Sequence, residues 1–137
     1  MLNYRAILLV SFIFSHLSYA DLDSEINDLK IGWSVANYQL EGNAQKTAFS
    51  SLMQRSKESK QQFARSADIL IWSGIIKSTY AGITGGLSAL KHAKAAKKDL
   101  EKSLEIDPVA MNGSAYASLG TLYHKLPGWP ISFGNDK

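Results

Sequence analysis

From residue 21 onward the chain alternates apolar and polar positions at helical spacing. Ile26, Leu29, Trp33, Ala36 and Leu40 recur at steps of three and four, which puts them on one face of a helix. Asp23 or Ser24 can cap its start, with acidic residues in the first turn. Glu41-Gly42-Asn43 interrupts the pattern. A second helix follows, with Ala48, Phe49, Leu52, Met53 and Ser56 inward and Lys46, Arg55, Lys57, Glu58 and Lys60 outward. Residues 21–62 therefore read as one helical hairpin.

Residues 63–84 read as the longest helix. Phe63, Ala67, Leu70, Ile71, Gly74, Ile75, Ser78, Ala81 and Gly82 form a broad, almost uncharged stripe, which predicts a central helix buried on more than one side. Gly74 and Gly82 would let neighbouring helices approach closely. Gly85-Gly86 makes the next turn, since glycine tolerates positive φ. Leu87 to Ile106 is amphipathic. Leu90, Ala93, Ala96, Leu100 and Leu104 face inward, and Lys91, Lys94, Lys98 and Lys102 form an outer stripe. Asp99, Glu101 and Glu105 partly balance that stripe as helical neighbours. The helix closes at Asp107-Pro108, a connector falls around Asn112-Gly113, and a last helix opens into Tyr116. The pattern predicts an all-α fold of antiparallel hairpins.

The N-terminus has a different character. Arg5 is the one charge before Asp21, Ala6 to Phe14 is apolar except for Ser11, and Ser18-Tyr19-Ala20 places small residues at a cleavage site. This is the three-part pattern of a signal peptide over residues 1–20. The run is short for about 30 Å of hydrocarbon, so an uncleaved anchor is the less favoured reading. Export without a single cysteine leaves the domain of residues 21–137 to rely on its core rather than on disulfides. Cleavage removes only Arg5 from a net charge of +3. The mild basic excess that remains does not call for a nucleic-acid partner.

Little in the sequence carries catalytic chemistry. There is no phosphate-binding Gly-rich loop and no thiol. His92 and His124 lie on different helices without carboxylates at metal-ligand spacing. No carboxylate pair stands out as a general acid and base. The expectation is a protein without catalysis, cofactor or metal.

Tyr116, Leu119, Gly120 and Tyr123 stand at i, i+3, i+4 and i+7. Ala96, Leu100 and Pro108 supply an Ala, a large apolar residue and a terminating proline, and Tyr80, Ile83, Thr84 and Leu87 repeat the first set. This series resembles the tetratricopeptide (TPR) repeat. Ile83 and Leu119 stand 36 residues apart against the usual period of about 34, and the connector around Asn112-Gly113 absorbs the difference. Two features depart from the pattern: tyrosine replaces tryptophan at the first position, and the turn after Tyr123 is long. From about residue 68 to the end, the chain looks like a group of bacterial secreted TPR-like proteins. Trp33, Ala36 and Asn37 resemble a degenerate, capping first helix.

The resemblance implies hairpins stacked as a TPR-like right-handed array, with Gly120 at a close helix contact. It also implies an incomplete last repeat, since the chain reaches Lys137 where a further helix is expected. That favours a longer parent protein, or self-association through the uncovered face of Tyr116 to Tyr123. The implied function is an exported, most simply periplasmic, scaffold that binds a protein or peptide in a groove lined by Asn, Lys and Tyr. The alternative is a helical ligand-binding accessory of a periplasmic transport system, like the TPR component of some TRAP transporters, with an enclosed apolar pocket.

Two candidate binding features remain. Trp129 and Phe133 ride on a loop fixed by Pro127 and Pro130. They either anchor a partner or fold back over the core, and the second is favoured because large aromatics are usually buried. Lys91, Lys94 and Lys98 either dock an acidic partner or an anionic lipid surface, or form an ordinary solvated face. The solvated face is favoured.

Overall fold

The computed structural model describes residues 4–126 and 133–134, with side chains from Asp21 onward. Five helices follow one another: α1 (Tyr4–Tyr38), α2 (Gly42–Gln62), α3 (Ala67–Thr84), α4 (Gly86–Ile106) and α5 (Ala110–Lys125). The protein is all-α. Each helix packs on the next, and α3 touches all four others. Contacts also join α1 to α3 and α3 to α5, whereas α2 and α4 have no Cα atoms within 8 Å of each other among the described residues.

The apolar pattern explains this arrangement. α3 presents Ile69, Trp72 and Ile76 to one core, shared with Leu29 and Ala36 of α1 and Phe49 and Leu52 of α2. It presents Ala67, Ile71 and Ala81 to a second core, shared with Ala93, Ala96 and Leu100 of α4 and Ala115, Leu119 and Leu122 of α5. A helix that buries two faces keeps both largely apolar, so its stripe is broad. Close packing follows from small residues. A Cβ on Gly74 would lie 2.6 Å from Leu100 Cγ, and one on Gly32 would lie 2.6 Å from Leu52 Cδ2.

The helices depart from the sequence expectation in three places. α3 starts at Ala67 rather than at residue 63, because Ser66 caps it: its side chain accepts a hydrogen bond from Ile69 N at 3.3 Å. The longest helix is α1, which runs without a break through Ala20 and Asp21, so neither Asp23 nor Ser24 acts as a cap. Gly82 makes no close helix contact, since a Cβ there would meet nothing within 4 Å.

The turns hold as expected. Gly85 and Gly86 adopt φ of +68° and +59°. The connector before the last helix turns through three left-handed residues, Met111, Asn112 and Gly113, and helical geometry resumes after them. Left-handed backbone is costly for a residue with a side chain. Met111 is held there by packing against both cores.

Candidate functional site

A groove of about 520 Å³ lies among α1, α3, α4 and α5. Gly82, Ala81, Ala89 and Ala93 line it, and their lack of side-chain bulk leaves the space open. Asn37, Ser78, Thr79 and Thr121 add polar groups, with Lys125 and Leu126 near α5. Trp33 borders this region. Its indole Nε1 donates to Thr79 Oγ1 at 3.0 Å, which ties α1 to α3. Its ring packs against Trp72 at 6.0 Å and edge-on to Tyr38 at 5.6 Å. The hydroxyls of Ser78 and Thr79 each donate to Ile75 O; Thr79 Oγ1 also accepts from Trp33, so Ser78 Oγ keeps the greater acceptor capacity towards the groove.

A charged node sits on another part of the helical stack. Asp99 of α4 is buried, with its side chain 9% exposed. Lys60 of α2 donates to its carboxylate at 2.8 and 3.1 Å, Ser73 of α3 donates at 2.7 Å, and Lys77 of α3 forms a fourth bond. Ser73 Oγ also lies 3.5 Å from Ser56 Oγ of α2. Burial alone would raise the Asp99 pKa. The hydrogen bonds from Lys60, Lys77 and Ser73 outweigh it and hold the carboxyl below its ordinary value. Burial pushes the Lys77 amine down, against the pull of Asp99. Two amines thus share one carboxylate inside the protein.

This node corrects the sequence reading of two residues. Asp99 does not balance the outer lysine stripe, and Lys60 does not point freely into solvent. The signal was faint. On the helical wheel Asp99 lies beside Ser103 and Ala96, nearer the buried face than Lys91 or Lys98, and an acid there implies an internal partner.

Lys91, Lys94 and Lys98 are exposed on α4, opposite Ala93, Ala96 and Leu100. Among the described residues none of the three forms an ion pair, because Glu101 pairs with Lys97 instead. With Asp99 turned inward, the stripe keeps more net charge than its sequence neighbours suggest.

Trp129 lies outside the described residues. Phe133 folds back onto the helices: its ring meets Tyr123 edge-on at 5.4 Å, and the Lys97 amine stands 5.6 Å from its centroid.

The repeat-motif residues divide. Ala96, Leu100 and Leu119 are buried. Tyr80, Ile83, Thr84 and Tyr123 are half-buried, Tyr80 lying edge-on to His92 at 4.9 Å. Leu87 is 87% exposed, Tyr116 is 59% exposed and Pro108 is exposed. Gly120 faces open space, with nothing within 4 Å of a Cβ built there. Among the described residues Gly120 is therefore not at a helix–helix contact. Leu119 turns to the core, while Tyr116 and Gly120 face away from it.

Among the described residues, no helix is long and apolar enough to cross a membrane, and no three His, Asp or Glu side chains gather as a metal site. Comparison with protein-family models, curated proteins and solved structures finds no match.

Proposed function

We propose that this chain is an exported, TPR-like scaffold that binds another protein or a peptide, without catalysis, in the groove among α1, α3, α4 and α5. One observation carries the reading: α3 brings α1, α4 and α5 around an open groove whose largely apolar walls carry Asn37, Ser78, Thr79 and Thr121, with a lysine at its side. Contacts between successive and between alternate helices are those expected when hairpins stack into an array. Asn37 and Lys125 supply side-chain donors. The exposed Tyr116 beside the open Gly120 supports self-association as a second use of the same domain. The lysine stripe of α4 supports a weaker contact with an anionic surface.

A blocked groove tests this reading. Gly82→Trp puts bulk into the groove from a position with free space around it. The exported protein is used as bait in periplasmic extract, with Gly82→Trp as the control. A partner held by the parent and lost by the folded variant supports the reading; equal capture by both counts against it. N-terminal sequencing of the exported material is expected to begin at Asp21.

The groove volume favours one alternative, since about 300–1,000 Å³ suits a small molecule. In that case the protein is a ligand-binding accessory of a transport system. Native mass spectrometry of the exported protein would then show a bound small molecule that Gly82→Trp releases.

A further inference from the structure

The charged node links parts of the fold that the backbone leaves apart. α1 and α2 form the first hairpin, and α3 and α4 form the second. The two meet through α3, since α2 and α4 have no Cα atoms within 8 Å of each other. Asp99 is bound within its own hairpin by Ser73 and Lys77. Among the described residues, Lys60 alone brings a charge from the first hairpin to α4, at 2.8 Å from Asp99 Oδ1. Its side chain is 25% exposed, so the bond is only partly screened by water.

We propose that Lys60 is a strut between the two hairpins, which fixes their angle and thereby the width of the groove between α1 and α5. A rotation of the first hairpin about α3 carries α1 with it through the core that Leu29 and Ala36 share with Phe49 and Leu52, and works against the Trp33–Thr79 bond that holds α1 to α3. Since α1 borders the groove through Asn37, the rotation changes the groove. The role of Lys60 rests on the groove reading only for its consequence in binding. The geometry itself is independent of any ligand.

The charge balance makes the test clean. Removing either lysine leaves one amine on one carboxylate, so neither variant strands a buried charge. The two variants differ in what survives. Lys60→Met keeps the bond inside the second hairpin, and Lys77→Met keeps the bond between hairpins.

The natural chain has no cysteine, so spin labels can be placed at will on the full chain. One pair, Gln61→Cys with Lys102→Cys, spans α2 and α4 near the node. A second, Gln39→Cys with His124→Cys, spans the groove side from the end of α1 to α5. All four positions are exposed. Distances are read by pulsed electron resonance without ligand, with helix content followed by circular dichroism. Lys60→Met is expected to broaden both distance distributions about two-fold, and Lys77→Met to leave both narrow. If Lys60→Met loses helix content, Lys60→Gln, which keeps a polar tip, is read in its place. Unchanged widths in a folded Lys60 variant overturn the proposal, as does equal broadening in Lys77→Met. Loss of helix in both Lys60 variants, with Lys77→Met still folded, also overturns it, because Lys60 would then be a folding residue. These distances can fail while groove capture succeeds, and the reverse, so the two readings fall separately.

Discussion

Leu100 of α4 occupies the space that a side chain on Gly74 of α3 would need. A Cβ at Gly74 would lie 2.6 Å from Leu100 Cγ and 3.3 Å from Ala96 O. The second contact is backbone, so it yields only if α3 and α4 separate. Gly74→Ala is therefore expected to destabilise the fold by about 1–3 kcal/mol, as overpacking does. Gly120→Ala has open space around it and should be neutral or stabilising by up to about 1 kcal/mol, the helix propensity gained. Urea denaturation of the two variants beside the parent checks both; equal losses would place Gly120 at a packed contact.

Removing the carboxylate of the node is a harsher change than removing one amine. Asp99→Ala leaves Lys77, 14% exposed in its side chain, and Lys60 without a counter-charge. The expected cost is about 3–5 kcal/mol, typical of breaking a buried pair from one side. Thermal melting at neutral pH measures it, and a loss under about 1 kcal/mol would mean that water already reaches the node.

Acid should weaken the same node. The Asp99 pKa is depressed in the folded state, so its stabilisation is fully present above the unfolded carboxyl value of about 3.9. It is lost as the pH falls through the lower, folded value. Glu25 acts in the same direction, its carboxyl held down by the hydrogen bond from Arg55. The urea midpoint of the parent is expected to hold down to about pH 5 and to drop as the pH falls below the unfolded carboxyl value of about 3.9. In Asp99→Asn that drop should be smaller; an identical drop in both would show that Asp99 does not govern the acid response.

Arg55 offers a contrast, because its pairing is on the surface. It forms a bidentate bond to Glu25 at 3.0 and 2.9 Å and a further bond to Asp28 at 2.7 Å. Its side chain is 45% exposed. Arg55→Ala is expected to cost about 1 kcal/mol or less, shrinking further in high salt. A larger, salt-independent loss would mean that the arginine stem packs the α1–α2 seam.

Asn112 carries a left-handed backbone, φ +55°, at an exposed position. Asn112→Gly should stabilise by about 0.5–1 kcal/mol by relieving that conformation, whereas the β-branched Asn112→Val should destabilise by more than about 1 kcal/mol. Calorimetric melting distinguishes them, and a destabilised glycine variant would show that the asparagine side chain holds the connector.

The open side of α5 predicts concentration-dependent behaviour. Among the described residues, Tyr116 is exposed next to Gly120, and Phe133 covers the Tyr123 end of that helix. Sedimentation velocity of the parent is expected to show mass rising with concentration, reduced by Tyr116→Ser. A strictly monomeric parent would remove self-association from the reading of this face.

The sequence by itself determined the helices and most of their inward faces. Leu29, Ala36, Phe49, Leu52, Ala93, Ala96 and Leu100 were legible because burial repeats every three or four residues, and that period is local. The left-handed turn at Gly85-Gly86 was legible because paired glycines tolerate positive φ. Tertiary structure decided the rest. Asp99 sits in a charged-looking stretch, and only the arrival of Lys60 from α2 and Lys77 from α3 makes its burial tolerable. Gly74 and Gly82 are the same residue on the same helix, eight positions apart. Leu100 presses on one and nothing approaches the other. The groove is likewise a product of packing, since Asn37, Gly82 and Lys125 belong to three helices that α3 brings together. Local periodicity says which side of a helix turns inward, while partners distant in the chain decide what that side meets.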